Sequence, residues 1–161
     1  MIYATVGTMH LEFSRLIYRM DAIAEKTDEQ IIVQTGLGLV TPDHCEHFDF
    51  DSRERVLELQ RSARVIVCHA GIGSVIDALE AGRPLVVIPR LKRFNEHNND
   101  HQVDLAEAVE RRGWGRMIRA IEELEPACAE PPPAYEGYKP ARQPLVTALR
   151  GAIEQATSKG Q

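Results

Sequence analysis

The sequence is poor in several features, and each shortage excludes a class of protein. It has only three cysteines, Cys45, Cys68 and Cys128, an odd and widely spaced set that does not suit a disulfide framework and fits a reducing compartment. Basic residues number 19 against 24 acidic ones, a net charge of −5, so we expect no nucleic-acid partner. No apolar run approaches the roughly 18 residues that span a bilayer, and the start of the chain lacks the pattern of a signal peptide. We therefore expect no membrane anchor in the chain itself.

Groups of metal-binding side chains in a suitable pattern are also scarce. The stretch His44-Cys45-Glu46-His47 has ligand-type residues, but a zinc site normally needs a second pair at matching spacing, and none follows. His97 and His101 are four residues apart, and a lone pair of this kind is more often on the surface. The sequence therefore predicts no metal site.

Short apolar runs alternate along the chain with segments whose apolar residues recur at helical spacing. The predicted strands are 2–6, 30–35, 47–50, 64–68, 84–88 and 117–118, and the predicted helices are 11–24, 52–63, 74–81, 100–112 and 145–156. Apolar strands alternating with helices predict an α/β fold, a Rossmann-like parallel sheet with helices on both faces. Residues 126–144 hold six of the nine prolines, so we expect one domain over 1–125, then an extended connector and a final helix over 126–161.

A glycine-rich turn, His69-Ala70-Gly71-Ile72-Gly73-Ser74, joins a predicted strand to a predicted helix. The amino end of a helix has unpaired N–H groups and a positive dipole end, which favour phosphate. Gly71 and Gly73 would let an oxygen approach the backbone, and Ser74 could add a hydroxyl group. The alternative is a tight turn, capped by Ser74, that binds nothing.

The familiar phosphate-binding motifs do not fit this turn. The dinucleotide fingerprint needs a third small residue at position 76, where Ile76 stands, and an acid after the next strand, where Arg90 stands. The Gly-Lys-Ser/Thr of a P-loop is absent. Asp77 lies one helical turn beyond Ser74 and could accept hydrogen bonds from ribose hydroxyls, or it could simply interact with the helix dipole.

The turn, together with Asp77, Gly82, Pro84 and Pro89, resembles the donor-site motif of GT-B glycosyltransferases, most closely the C-terminal domain of glycosyltransferase family 28. The segments TVGT at 5–8 and QTG at 34–36 are similar to that family as well. The loop PRLKRFNEHNNDHQVDLAEA at 89–108 resembles the PssE-type small subunit of two-part bacterial exopolysaccharide glycosyltransferases. That group is similar to the soluble subunit of the eukaryotic dolichol-linked N-acetylglucosamine transferase.

The resemblance implies the donor-binding half of a GT-B fold and an inverting hexosyltransferase that uses a UDP-sugar without a metal or other cofactor. Glucuronic acid is the sugar it favours, with glucose, galactose and N-acetylglucosamine as alternatives. By position, the diphosphate would lie at Gly71, Gly73 and Ser74 beside His69, which would stabilise the leaving group. The resemblance further assigns the ribose to Asp77, the sugar to His101 and Gln102, and the remaining nucleotide contacts to Gly7, Thr8, Gly36, Phe48 and Phe50.

Two further components of such an enzyme are expected outside this chain. His10, beside the Gly7-Thr8 turn, is a weak candidate for the general base, so the base is expected on a partner. That partner would be membrane-anchored, would bind a lipid-diphosphate-linked sugar acceptor and would recruit this cytoplasmic chain to the inner face of the membrane. The predicted final helix has an apolar stripe that could dock on the partner or on the domain's own core.

Two other functions remain open from the sequence. One is a non-catalytic nucleotide-binding regulatory module. The other is a nicotinamide-dependent oxidoreductase, which Ile76 and Arg90 disfavour. Arg90, Lys92 and Arg93 could form a solvated rim or attract an anionic ligand.

Overall fold

Six parallel strands form a single sheet in the computed structural model, which describes residues 1–138. The strands are β1 (Ile2–Thr5), β2 (Ile31–Gln34), β3 (Glu46–Phe48), β4 (Val65–His69), β5 (Leu85–Ile88) and β6 (Arg116–Met117). Their order across the sheet is β3-β2-β1-β4-β5-β6, so the direction of winding reverses between β1 and β4. In open parallel sheets, ligands bind beyond the carboxyl ends of the strands at such a switch point.

Helices cover both faces of the sheet. They are α1 (Ser14–Ala24), α2 (Arg53–Ser62), α3 (Ile72–Ala81), α4 (His101–Arg111) and α5 (Leu124–Ala129), with short 3-10 turns at Lys92–Phe94 and Ile121–Glu123. One apolar cluster joins α1 and α5 to the sheet, and a second joins α2, α3 and α4 to the opposite face. Because β1, β2, β4 and β5 are buried along their whole length, they read as continuous apolar runs in the sequence. The predicted α/β fold is confirmed.

Helix α3 begins at Ile72, two residues earlier than the sequence predicted. Its N-cap is Gly71, in an extended conformation (φ −92°, ψ 134°), and no side chain caps this end of the helix. The interpretation of Ser74 as the capping residue is therefore wrong. Gly73 and Ser74 lie instead inside the first turn, whose N–H groups have no partner within the helix.

The chain around residue 126 is helical rather than extended. Helix α5 crosses the predicted boundary after Glu125, and its residues Leu124, Ala127 and Cys128 are buried in the same cluster as α1. Pro126 lies in the first turn, where its missing N–H is not needed for a helical hydrogen bond. The expected extended connector therefore does not begin at residue 126, and the predicted helix 145–156 lies outside the described residues.

Arg90 ties together two loops at the carboxyl edge of the sheet. Its fully buried guanidinium donates to the carbonyl oxygens of Val6 (2.9 Å), Glu12 (3.1 Å) and Glu96 (3.2 Å), and it lies 4.9 Å from the ring centre of Phe13. Burial lowers the pKa of Arg90 to about 10. Both interpretations of Arg90, as part of a solvated rim and as a group that attracts an anionic ligand, are therefore wrong, although its neighbours Lys92 and Arg93 are exposed.

Candidate functional site

A cleft of about 390 Å³ opens at the carboxyl edge of the sheet, over β1 and β4 and between α2 and α3. It brings together eight of the residues that the sequence predicted for the site: Gly7, Thr8, Phe50, His69, Gly71, Gly73, Ser74 and Asp77. Six further residues line the cleft. Thr5 and Gln34 lie in the segments TVGT and QTG but had no assigned contact, and the sequence had not indicated the other four: Asp51, Arg53, Val56 and Gln60. The cleft lies at the switch point, where the fold class places ligands.

Gly36 and His10 were predicted for the site but do not line the cleft. Gly36 has a positive φ of 64°, and its N–H donates to the carbonyl of Asp49 at 3.2 Å. A Cβ on Gly36 would lie 2.8 Å from the carbonyl oxygen of Gly7, so Gly36 allows two loops to pass closely. His10 lines a separate cavity of about 530 Å³ with residues that include Arg15 and Phe94.

The residues predicted to contact the sugar are also outside the cleft. His101 begins α4 and is exposed, with its ring 3.7 Å from Asp104. Gln102 is buried, and its side-chain oxygen accepts a hydrogen bond from the backbone N–H of Arg90 at 3.0 Å. Phe48, predicted beside the uracil, is partly buried against the second apolar cluster. Gln102 thus supports the loop after β5.

The imidazole of His69 packs between two glycines. His69 is the last residue of β4, and a Cβ built on either Gly7 or Gly71 would overlap its ring. Gly7 also has a φ of 76°, a conformation that side chains disfavour. The space that the histidine ring needs therefore explains both glycines.

Burial makes His69 a neutral group. The side chain is 8% exposed, and desolvation, with the nearby Arg90 guanidinium as a second cause, lowers the pKa of His69 to about 4. Its Nδ1 atom has no hydrogen-bond partner among residues 1–138. At neutral pH, the ring can therefore offer one N–H donor and one acceptor, but not a positive charge.

The low pKa of His69 should make the protein less stable in mild acid. The unfolded chain takes up a proton near pH 6.5, whereas the folded state resists protonation until about pH 4. The free energy of unfolding should therefore fall as the pH drops through this window, with a contribution from His69 of roughly 3 kcal/mol at pH 4. Denaturant unfolding at pH 7 and pH 4.5 should show a shallower loss for His69→Gln than for the wild type.

His101→Gln provides the control, because His101 is exposed. This variant should keep the wild-type dependence on pH. An equally steep loss of stability in His69→Gln would show that other groups cause the acid sensitivity.

A network of buried polar side chains forms the floor of the cleft. The Thr5 hydroxyl donates to the side-chain oxygen of Gln34 at 2.9 Å and accepts from the N–H of Gly7 at 3.0 Å. The Tyr3 hydroxyl donates to the same Gln34 oxygen at 3.2 Å, and burial raises the pKa of this tyrosine. The floor is therefore uncharged at neutral pH and holds the Gly7 turn in one conformation.

The start of α3 is the part of the cleft whose geometry suits an anion. No acidic side chain lies in the first turn, and no side chain bonds to the N–H groups there. A Cβ on Gly73 would meet nothing within 4 Å, so the backbone at this position faces open space in the cleft. With the Ser74 hydroxyl beside it, this end of the helix suits a phosphate or diphosphate group.

The outer end of the cleft holds an ion pair that the sequence did not reveal. Arg53, at the start of α2, donates to Asp77 on α3 with separations of 2.7 and 3.2 Å. The only available signal in the sequence was Ser52, which caps α2 by accepting from Arg55 and so places Arg53 in its first turn. The partner of Arg53, 24 residues away, could be found only from the fold.

The described part of the chain lacks two further features. Residues 1–138 contain no group of three or more histidine, cysteine, aspartate or glutamate side chains that could hold a metal ion. No helix in the same range has the length and apolar character needed to cross a membrane.

Comparison with known proteins places these features in one family. The family model for the glycosyltransferase family 28 C-terminal domain matches residues 1–127. The human UDP-N-acetylglucosamine transferase subunit ALG13 is 32% identical over 123 residues, which is 70% of this chain and 10% of that protein. A Solibacter usitatus (strain Ellin6076) UDP-N-acetylglucosamine--N-acetylmuramyl-(pentapeptide) pyrophosphoryl-undecaprenol N-acetylglucosamine transferase is 36% identical over 61 residues, 38% of this chain and 16% of that protein.

Solved structures show the same fold. The crystal structure of the glycotransferase of kitacinnamycin matches with a TM-score of 0.60 at 21% identity. The match covers 80% of this chain and 34% of that chain. The solution structure of ALG13 has a TM-score of 0.59 at 15% identity, with 89% of this chain and 93% of that chain covered. The fold of residues 1–138 therefore occurs both as a part of larger glycosyltransferases and in a chain of similar size.

Proposed function

Because the chain belongs to the glycosyltransferase family 28 C-terminal domain family, we propose that it is the donor-binding subunit of a two-part inverting glycosyltransferase that uses a UDP-sugar. The observation that carries the proposal is the open, glycine-lined start of α3 in the cleft at the switch point. The names of the human and bacterial relatives, which both specify a UDP-sugar, support this class of donor. The chain spans 10% and 16% of these two relatives, so the activity of each whole protein enters only as a proposal.

We assign each part of the donor nucleotide to a different part of the cleft. The diphosphate is assigned to the first turn of α3, with the hydroxyl of Ser74 and the neutral ring of His69 beside it. Asp77 is assigned to the ribose, and the half-exposed Phe50 with Val56 to the uracil. The helix dipole and the backbone N–H groups would compensate the diphosphate charge that a divalent cation neutralises elsewhere.

In the proposed reaction, an acceptor hydroxyl attacks the anomeric carbon as the bond from that carbon to the UDP oxygen breaks. The hydroxyl proton passes to a general base, and UDP leaves with its added negative charge at the start of α3. Hydrogen-bond donors aimed at such developing charge are typically worth about 3 kcal/mol each in the transition state. His69 would act as a donor, because its pKa of about 4 makes it unsuited to supply a positive charge at neutral pH.

The base and the acceptor are proposed to belong to a partner chain. His10 lies in a separate cavity, so it does not share the cleft in which the donor would lie. The human relative is itself named a subunit, which supports a two-part enzyme. We propose a membrane-anchored partner that binds a lipid-diphosphate-linked sugar at the cytoplasmic face of the membrane, in exopolysaccharide synthesis.

The identity of the sugar is the most specific part of the proposal. Glucuronic acid is the proposed sugar, and the contacts of His101 and Gln102 with it stay predictions. The side-chain oxygen of Gln102 already accepts from Arg90, so its amide nitrogen is the group to assign to the sugar. If so, Gln102→Ala should weaken UDP-sugar binding more than UDP binding.

Ligand protection and reconstitution test the proposal together. UDP should raise the melting temperature of the chain, and NAD should not, because the dinucleotide fingerprint is absent. Transfer from UDP-glucuronic acid to a lipid-linked acceptor should appear only when a membrane-anchored partner is added, and it should survive excess EDTA. Protection by NAD instead of UDP would contradict the proposal. UDP binding without transfer in the reconstituted pair from the UDP-sugars of glucuronic acid, glucose, galactose or N-acetylglucosamine would favour the regulatory module.

A further inference from the structure

The outer end of the cleft is bridged by one guanidinium–carboxylate pair. Arg53 is the first residue of α2, and Asp77 lies in the second turn of α3, so the pair joins the two helices that form the walls of the cleft. The Nη2 atom of Arg53 lies 2.7 Å from Oδ1 of Asp77, and Nη1 lies 3.2 Å from Oδ2. This is the two-point fork in which an arginine fixes both the position and the plane of a carboxylate.

The two partners differ in exposure. The Asp77 side chain is 17% exposed and lies on the cleft wall, whereas the Arg53 side chain is 58% exposed and approaches it from the solvent side. A pair this open to water contributes little to the free energy of folding. Its main physical effect is therefore to restrict the carboxylate of Asp77 to one orientation.

We propose that Arg53 is a positioning residue that holds the carboxylate of Asp77 ready to accept hydrogen bonds from the ribose hydroxyls of the bound nucleotide. Arg53 thereby makes the cleft select ribonucleotides over 2′-deoxyribonucleotides. This inference rests on the proposed function, because it requires a nucleotide whose diphosphate lies at the start of α3. The acceptor that recognises the diol, Asp77, and the residue that orients it, Arg53, would come from opposite walls of the cleft.

The chemistry of a carboxylate supports this arrangement. An ionised carboxylate can accept about four hydrogen bonds, so one held in an arginine fork retains acceptor capacity for a diol. Asp77 lies one turn beyond Ser74 on the same face of α3, so a nucleoside that extends along this face from a diphosphate at the helix start would reach its carboxylate. A carboxylate already held in one orientation loses less conformational entropy when the ribose binds.

A comparison of UDP with 2′-deoxy-UDP isolates the role of Arg53. Calorimetry on the full-length chain should show that the wild type binds UDP about tenfold more tightly than 2′-deoxy-UDP, as expected for one hydrogen bond to a charged group. Arg53→Gln should lower this ratio to about two- to threefold, mainly by weakening UDP binding. Arg53→Lys, which retains the charge but not the two-point fork, should give a ratio between those of Arg53→Gln and the wild type.

Asp77→Asn and Arg55→Gln complete the design. In Asp77→Asn, the ratio of the affinities for UDP and 2′-deoxy-UDP should fall to about one. Adding Arg53→Gln to that variant should not lower the UDP affinity further, because the two residues act through one contact. Arg55 lies on the same helix and pairs with Glu58 at 2.8 Å but does not line the cleft, so Arg55→Gln should leave the ratio unchanged.

Each other outcome has a definite meaning. An unchanged ratio in Arg53→Gln would overturn the inference, and so would tighter UDP binding, which would show that Arg53 competes with the ribose. If the wild type binds UDP and 2′-deoxy-UDP equally, the inference about Arg53 fails but the proposed function does not. If the wild type binds no UDP, the proposed function fails, and the inference fails with it.

Discussion

Replacing Gly73 with valine is expected to weaken UDP binding at least about a hundredfold while the chain remains folded. Gly73 lines the cleft in the first turn of α3, and a Cβ there meets no atom within 4 Å, so the new side chain would occupy the space of the phosphate oxygens. Loss of two hydrogen bonds to a charged group, at about 1.5 kcal/mol or more each, corresponds to this change in affinity. Because valine favours a helix slightly more than glycine does, the free energy of unfolding should change by less than about 1 kcal/mol.

Calorimetry with UDP, together with urea denaturation of each variant, tests this expectation. Gly73→Ala should give an intermediate loss of affinity, because its single methyl group only partly fills the site. Gly71→Ala should lower the free energy of unfolding as well as the affinity for UDP, because its Cβ would overlap the ring of His69. UDP affinity in Gly73→Val within about threefold of the wild-type value would contradict the assignment of the diphosphate to this turn.

The parts of the site that could be predicted from sequence are those determined by local chain geometry. A buried strand, two glycines and a helix are consecutive in the sequence, so the strand–turn–helix that lines the cleft could be recognised without knowledge of the fold. The start of α3 was misplaced by two residues, because Ser74 looked like a cap while the extended backbone of Gly71 provides the N-cap. The error concerned which residue caps the helix and did not change where the cleft lies.

The parts that could not be predicted depend on side chains that meet across the fold. Arg53 and Asp77 are 24 residues apart, and nothing in either local sequence indicates that α2 and α3 form facing walls. The sequence predicts a sugar contact for Gln102, but it does not show that the side-chain oxygen accepts from the backbone N–H of Arg90 and that only the amide nitrogen is left for a ligand. The expected start of the connector at residue 126 was wrong because proline breaks a helix in its middle but is accepted in its first turn, where Pro126 lies.

Arg90 is the strongest case of a role that only the fold reveals. In sequence, it stands with Lys92 and Arg93 in what looks like a solvated basic loop. In the structure, its guanidinium contacts the carbonyl of Val6, 84 residues away, and those of Leu11, Glu12 and Glu96. These bonds join the loop after β1, which contains Gly7 and Thr8, to the loop after β5.

Arg90→Met is therefore expected to lower the free energy of unfolding by roughly 3 kcal/mol. Four carbonyl groups would lose their donor at about 1 kcal/mol each, and the contact with Phe13 would also be lost, while relief from burying a charge offsets part of the cost. Arg93→Met, in the same loop but exposed, should change the value by no more than about 0.5 kcal/mol. Urea denaturation measures both variants, and amide exchange should become faster over residues 7–13 in Arg90→Met alone. Equal stability of the two variants would show that the carbonyl groups find other partners and that Arg90 does not hold the cleft loops in place.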